Sequence, residues 1–161
     1  MKATPISKRI KASKPDNVRA AIALLERVKA RGDRLMMCTW QKSLTDPEKL
    51  ALRSDPIITG LVTNEEDAHT CGSACCFAGW VAVSQHFRDQ GGSMSQIGGG
   101  PIFAYRHNEY AIAEYLGIPD NHAAKLVAYT DLATTWQTFY EVDNHDEITI
   151  DMVIQRLQEL L

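Results

Sequence analysis

The sequence lacks long apolar runs and is poor in cysteine. No segment approaches the roughly 20 consecutive apolar residues of a transmembrane helix, and the basic N-terminus is not followed by the apolar region of a secretory signal. We therefore expect no membrane contact and a cytoplasmic location. Four cysteines among 161 residues are too few for a disulfide scaffold, and a reducing compartment would keep them as thiols.

The length and composition indicate one domain with a real core. The chain has 161 residues, of which 45% are hydrophobic. This is enough to form one hydrophobic core, and the chain is too short to indicate two domains. Residues 1–13 are lysine-rich with little apolar content, so they cannot offset the entropy lost on ordering. We expect a disordered basic arm at 1–13 and a single α-helical domain at 14–161.

Charge is distributed unevenly along the chain. Residues 1–34 hold ten Lys and Arg against three acidic residues, a net charge of +7, which leaves −10 for residues 35–161 of the total of −3. A basic arm can contact nucleic acid or an acidic protein surface, although such an arm is more often only a solvated tail. The candidate partner-binding residues are Lys8, Arg9, Lys11 and Lys14.

Residues 71–83 carry no charged side chain and are mostly apolar, which predicts burial on every side. Ser73 is a residue type that caps helices, and the apolar residues after it occupy two helical faces. We expect a buried central helix at about 73–88, around which a mainly α, compact helical bundle is organised. Apolar periodicity and cap residues predict the other helices. In chain order they lie at 15–32, at 47–53, at 108–116, from 119 onward, at 131–140 and from Thr149 onward.

A glycine-rich segment at 91–100 interrupts the helical pattern. Residues 94–97 and 102–105 are apolar enough to pair across it, which predicts a small β-hairpin near 94–105. The glycines resemble a phosphate-binding loop, but no Gly-Lys-Ser/Thr follows them, so the Walker pattern is absent. A flexible turn or lid is the better interpretation.

A group of soft side chains provides the ligand types that zinc prefers. Structural zinc sites usually draw ligand pairs from two separated segments, and here the second pair is missing. We therefore expect buried thiols, with no metal and no other cofactor. The weighed metal candidates are His69, Cys71, Cys75, Cys76 and His86.

Cys71 is also a candidate nucleophile. A cysteine near a helix N-terminus has its thiolate stabilised by the helix dipole, as in papain-like enzymes, and His69, His107 or His145 are available as a base. The order and long spacing of papain-like enzymes do not fit this short chain. An enzyme centred on Cys71 is therefore kept as an alternative, and we expect no catalytic activity.

Residues 113–126 fit the spacing of a helix-turn-helix, in which small residues let two helices cross near a turn. The second helix carries one side chain that is positively charged at neutral pH, Lys125. Acidic residues beside the corner would repel phosphates; they are Glu109, Glu114 and Asp131. A plain helical corner is favoured. Nucleic-acid binding through this corner and the basic arm remains an alternative.

Several motifs together resemble a family of small bacterial and phage proteins. They are Cys71-Gly72-Ser73-x-x-Cys76-x-Ala78-Gly79-Trp80, Met37-x-x-Trp40, Leu116-Gly117-Ile118 and Ile148-Thr149. The family's usual form is Cys-Gly-Thr/Ser-x-x-Cys-x-Ala-Gly-Trp/His, and the similarity covers roughly residues 15–161. The resemblance implies a compact helical cytosolic protein, phage-encoded and acting on a host process, and it implies no particular activity.

No complete acid–base, phosphate or metal constellation emerges from these patterns. The leading hypothesis is a non-enzymatic protein that binds and modulates a host or partner protein, as an inhibitor for example. The alternatives are the nucleic-acid binder and the cysteine- or zinc-dependent enzyme described above.

Overall fold

The chain folds mainly into α-helices, with two small three-stranded sheets beside them, one mixed and one antiparallel. The computed structural model describes residues 14–37, 42–43, 64–70, 73–95, 100–128 and 133–161. The predictions for the arm at 1–13, the helix at 47–53 and Cys71 concern residues outside this description. The mainly α fold and the small β-hairpin predicted from the sequence are both confirmed.

The described helices lie in segments predicted to be helical, except for α2, which the sequence pattern did not predict. A short 3₁₀ turn at His145–Glu147 precedes the last of them. They are α1 (Pro15–Ala30), α2 (Glu65–Thr70), α3 (Phe77–Val83), α4 (Gln85–Asp89), α5 (Asn108–Leu116), α6 (Asp120–Leu126), α7 (Ala133–Tyr140) and α8 (Ile150–Gln158).

Six short strands form two sheets in the described part of the chain. In the first sheet, β3 (Ser73–Cys75) lies between β1 (Arg34–Leu35), to which it is parallel, and β2 (Lys42–Ser43), to which it is antiparallel. In the second sheet, β5 (Pro101–Phe103) lies between β4 (Ser93–Met94) and β6 (Arg106–His107), and both pairs are antiparallel.

The helix ends follow from local sequence. Pro15 occupies the first turn of α1, where its missing N–H costs no hydrogen bond, and the helix ends before Gly32, which has a φ of 73°. The Thr149 hydroxyl caps α8 by accepting from the Met152 N–H at 3.3 Å. Gly117 ends α5 in the left-handed conformation, and its N–H donates to the Ala113 carbonyl.

The predicted central helix at 73–88 is wrong in its continuity, although its burial is correct. Residues 73–75 form strand β3, and the helix begins only at Phe77, where the Cys76 Sγ accepts from the Gly79 N–H at 3.3 Å. Ser84 then interrupts it, because its hydroxyl donates to the Val81 carbonyl and accepts from the Phe87 N–H. Every residue of α3 is buried.

The start of α1 is hydrogen-bonded to the end of α5. The Lys14 N–H donates to the Leu116 carbonyl at 2.8 Å, and the buried Asn17 donates through Nδ2 to the Tyr115 carbonyl at 2.7 Å. Carbonyls in the last turn of a helix have no partner within that helix. The start of α1 therefore supplies hydrogen-bond donors to carbonyls in the last turn of α5, about 100 residues further along the chain.

The hydrophobic core surrounds α3. Helix α1 packs on α3 and α8, while α5 packs on β5 and α6. An aromatic group joins the antiparallel sheet to the helices, because the Phe87 ring lies 5.5 Å from that of Phe103 and 5.1 Å from that of Tyr115. The largest side chains that are completely buried include Trp80, Tyr115, Phe77, Phe87, Leu24 and Leu25.

In the described ranges, no helix combines the length and the apolar composition that crossing a bilayer requires.

Candidate functional site

The β5–β6 turn has an unusual backbone for its sequence. Phe103 pairs with Arg106, so the loop between the strands contains only Ala104 and Tyr105. Both have positive φ angles, 49° and 63°, which defines a type I′ turn. Such turns favour Asn and Gly, because a left-handed conformation costs an ordinary residue about 1–2 kcal/mol. The sequence-based prediction that 102–105 is all strand is therefore wrong for Ala104 and Tyr105.

Tyr105 projects completely into solvent. Its exposed fraction is 100%, and the nearby Tyr110, on the first turns of α5, is 47% exposed. With Leu161 at the C-terminus, these are the large hydrophobic residues that the described part of the chain exposes. The Tyr105 ring, at the tip of the turn, is therefore not stabilised by burial within this protein.

Arg106 connects the turn to two helices. Its Nη2 lies 2.8 Å from Asp120 Oδ2 at the start of α6, and its Nη1 lies 3.7 Å from Glu114 Oε2 on α5. The guanidinium also covers the Tyr110 ring at 5.3 Å. The hydrogen bond to Asp120 raises the pKa of Arg106 further above its ordinary value. We call Tyr105, Arg106 and Tyr110 the turn face.

Lys14 is the one predicted partner-binding residue within the described ranges. Its ammonium group donates to the Glu114 carbonyl at 2.8 Å and lies 5.6 Å above the Phe103 ring. Phe103 directly precedes the Ala104–Tyr105 turn. Lys14 is therefore next to the turn face, whereas Lys8, Arg9 and Lys11 lie outside the described residues.

His69 forms a close pair with Asp33. Its Nδ1 lies 2.8 Å from Asp33 Oδ1, and the side chain of Asp33 is only 8% exposed. A carboxylate that accepts from Nδ1 fixes the ring and directs Nε2 outward, as in histidines that act as bases or metal ligands. Base catalysis would also need a nucleophile, and the candidate Cys71 lies outside the described residues. The cysteine-enzyme alternative stays a prediction.

The remaining metal and catalytic candidates have separate surroundings. The His86 Nε2 lies 3.0 Å from Asn17 Oδ1, and His145 stacks on Trp136 with its Nε2 3.1 Å from the Ala128 carbonyl. Cys75 and Cys76 are buried thiols. Within the residues that the structure describes, no group of three or more His, Cys, Asp or Glu is arranged to hold a metal ion.

The predicted corner at 113–126 consists of α5, Gly117 and α6. The Ile118 N–H donates to the Ala113 carbonyl at 3.0 Å, which closes the turn between the helices. Asp120, at the start of the second helix, binds Arg106 within the protein. Nucleic-acid binding by this corner stays a prediction, and the acidic groups beside it oppose phosphates.

His122 should make the fold sensitive to acid. Burial lowers its pKa below 6.5, the positive charges of Lys125 and Arg156 lower it further, and Glu159 opposes this shift. Below about pH 6.5, His122 takes up a proton more readily in the unfolded chain than in the folded protein. The free energy of unfolding therefore falls as the pH decreases. We expect His122→Leu to remove part of this fall, measured by denaturant unfolding at about pH 7.5 and about pH 5.5. Equal losses in both proteins would contradict this assignment.

Comparison with known proteins gives no relative. No protein-family model, curated protein or solved structure matches this chain. The resemblance to small bacterial and phage proteins therefore stays a prediction, and the turn face is judged on its geometry alone.

Proposed function

We propose that this protein binds and modulates a partner protein through the turn face, and that the partner is a host protein if the chain is phage-encoded. The observation that carries the proposal is the conformation of Tyr105, which combines a φ of 63° with complete exposure. Backbone strain of this kind concentrates at functional sites.

The composition of the turn face suits a protein interface. Tyrosine and arginine are enriched among the residues that dominate binding energy, and charged Lys and Asp are depleted there. Tyr105 offers a large amphipathic ring with few rotatable bonds, so it loses little conformational entropy on binding. Arg106 holds the turn on α5 and α6, which reduces the ordering cost further.

The location and the alternatives follow the same reasoning. A reducing compartment such as the cytoplasm would keep the buried Cys75 and Cys76 as thiols, and we propose that location. The enzyme alternative depends on Cys71, whereas the binding proposal depends only on described residues. The nucleic-acid alternative has Glu114 and Asp120 against it at the same face.

Two glycine variants of one turn separate binding from stability. Tyr105→Gly and Ala104→Gly each relieve a left-handed residue, so each should stabilise the fold by about 1 kcal/mol, or about 2–4 °C in melting temperature. Only Tyr105→Gly removes the ring. Because truncating a dominant interface tyrosine costs about 2 kcal/mol or more, we expect that variant to bind a captured partner about 30-fold more weakly.

The measurement is affinity capture from the native host with mass spectrometry, followed by titration of the recovered protein. A protein that wild type and Ala104→Gly retain, and that Tyr105→Gly loses, supports the proposal. Equal capture by both glycine variants, with melting temperatures at or above that of wild type, would contradict it.

A further inference from the structure

Helix α7 lies between two residues whose backbone is left-handed. Ala128, shortly after α6, has a φ of 53°, and Glu141, directly after α7, has a φ of 58°. Neither residue is glycine, and such backbone strain persists only where the surrounding structure holds it in place. The chain on the two sides of α7 meets at one contact, because the His145 Nε2 lies 3.1 Å from the Ala128 carbonyl. Helix α7 can therefore leave the core without displacing the elements before and after it.

Aromatic side chains hold α7 against the protein. Trp136 and Tyr140 are buried, and the Phe139 ring lies 5.4 Å from that of His122, edge to face. The Tyr140 hydroxyl donates to the carbonyl of Leu126, the last residue of α6, at 2.6 Å. Burial raises the pKa of Tyr140 far above its ordinary value, so the hydroxyl keeps this proton. Helix α7 contains no charged residue, so its docking depends on ring packing and on uncharged hydrogen bonds.

The packing around α7 leaves two polar atoms unsatisfied. The His122 Nε2 and the Trp136 Nε1 are buried, and neither has a hydrogen-bond partner among the residues that the structure describes. Each atom has lost its hydration without gaining a hydrogen bond, which opposes the closed position of α7. A partial opening that returns both atoms to water is therefore an accessible motion for this part of the chain.

The surroundings of His122 oppose its protonation while α7 is closed. Burial lowers the pKa of His122. The positive charges of Lys125 on α6 and Arg156 on α8 lower this pKa further, and Glu159 on α8 opposes the shift. Among the described residues these are the charges that act on the ring, and neither α7 nor α5, which also packs on α6, adds one. Because a protonated imidazole donates from both nitrogens, the buried Nε2–H would have no acceptor.

We propose that α7 is a flap that opens in mild acid, when His122 takes up a proton, and that its opening exposes Trp136 and Phe139. The open position gives the imidazolium water as a hydrogen-bond partner, and α1, α3 and α5 keep their packing. Because the open form takes up the proton more readily, its population rises as the pH falls below about 6.5. This device goes beyond the proposed function and does not rest on the turn face.

The test is native-state hydrogen exchange of the purified full-length chain at about pH 7.5 and about pH 5.5, in low concentrations of urea. Rates are corrected for the effect of pH on exchange in an unfolded peptide. Protection of the amides of residues 137–140 should fall by up to about tenfold at the lower pH, the limit for one histidine with an ordinary pKa in the open form. Because a flap exposes little surface, this exchange should depend weakly on urea, whereas exchange in α1 should show the urea dependence of global unfolding.

Histidine variants identify the group that triggers the opening. His122→Gln keeps a polar side chain that cannot titrate, so it should abolish the fall in α7 protection. His122→Leu serves the same purpose if the glutamine variant folds poorly. The matched control is His107→Gln, which removes an exposed histidine of β6 and should keep the fall.

Each outcome bears on the flap. A fall in α7 protection that depends weakly on urea, that substitution of His122 removes and that His107→Gln keeps supports the inference. Urea dependence in α7 equal to that in α1 would mean that α7 opens only when the whole domain unfolds, which overturns the flap. A fall that persists without His122 and is absent in His145→Gln overturns His122 as the trigger. Equal protection of α7 at both pH values overturns the device.

Discussion

Trp80→Ala is expected to lower the free energy of unfolding by about 3–5 kcal/mol. Trp80 is completely buried in α3, and its Nε1 donates to the Arg34 carbonyl at 3.1 Å. The substitution therefore leaves a large cavity and a carbonyl without this donor. Because domains of ordinary stability unfold at about 5–15 kcal/mol, the loss is a large share of the total.

The measurement is chemical denaturation, with Tyr110→Ala as the matched aromatic truncation at a half-exposed position. That control loses the contact with the Arg106 guanidinium and should change stability by about 1 kcal/mol at most. If Trp80→Ala and Tyr110→Ala unfolded at the same denaturant midpoint, α3 would not be the centre of the core.

Gly92→Ala is expected to cost about 1–3 kcal/mol by overfilling the aromatic group under the antiparallel sheet. A Cβ at Gly92 would clash with Cδ1 and Cε1 of the Phe87 ring. The Phe87 ring cannot withdraw easily, because it is completely buried against Phe103 and Tyr115.

A comparison with the neighbouring glycine identifies the cause. Gly91 has a φ of 90° and no atom near its Cβ position, so Gly91→Ala tests backbone strain alone. Adding Phe87→Leu should recover part of the loss in Gly92→Ala and none of the loss in Gly91→Ala, as measured by a double-mutant cycle. Additive losses at Gly92 and Phe87 would show that the ring is not the obstacle.

Sequence pattern predicted the helices that have a polar face. Helices α1 and α8 alternate buried and exposed residues at helical spacing and carry Pro15 and Thr149 at their starts, so their positions were clear. Residues 71–83 are apolar on every side and have no such period. The pairing of residues 73–75 with β1 and the break at Ser84 depend on tertiary contacts and on one serine hydroxyl, which periodicity cannot detect.

The candidate site was predicted less well than the fold. Ala104 and Tyr105 are not turn-forming residues, and tyrosine favours strands. The turn is flanked by the β5–β6 pairing and by Arg106, which contacts Asp120, 14 residues further on, and Glu114; none of these contacts is visible in the local sequence. The His69–Asp33 pair joins side chains 36 residues apart, and nothing in the local sequence of either residue indicates it. Lys14 was predicted to bind a partner as part of the basic segment before α1, and that stays a prediction.

The hydrogen bonds between the start of α1 and the end of α5 have a consequence for the order of folding. Lys14 and Asn17 supply donors to carbonyls that lie 98 to 102 residues away. The last turn of α5 is therefore completed only when α1 docks, and α1 leaves the ribosome long before α5 exists. Ordering of the two segments is coupled across a long loop, which slows the search for the native state. We therefore expect α1 to dock late in folding, although it is synthesised before α5.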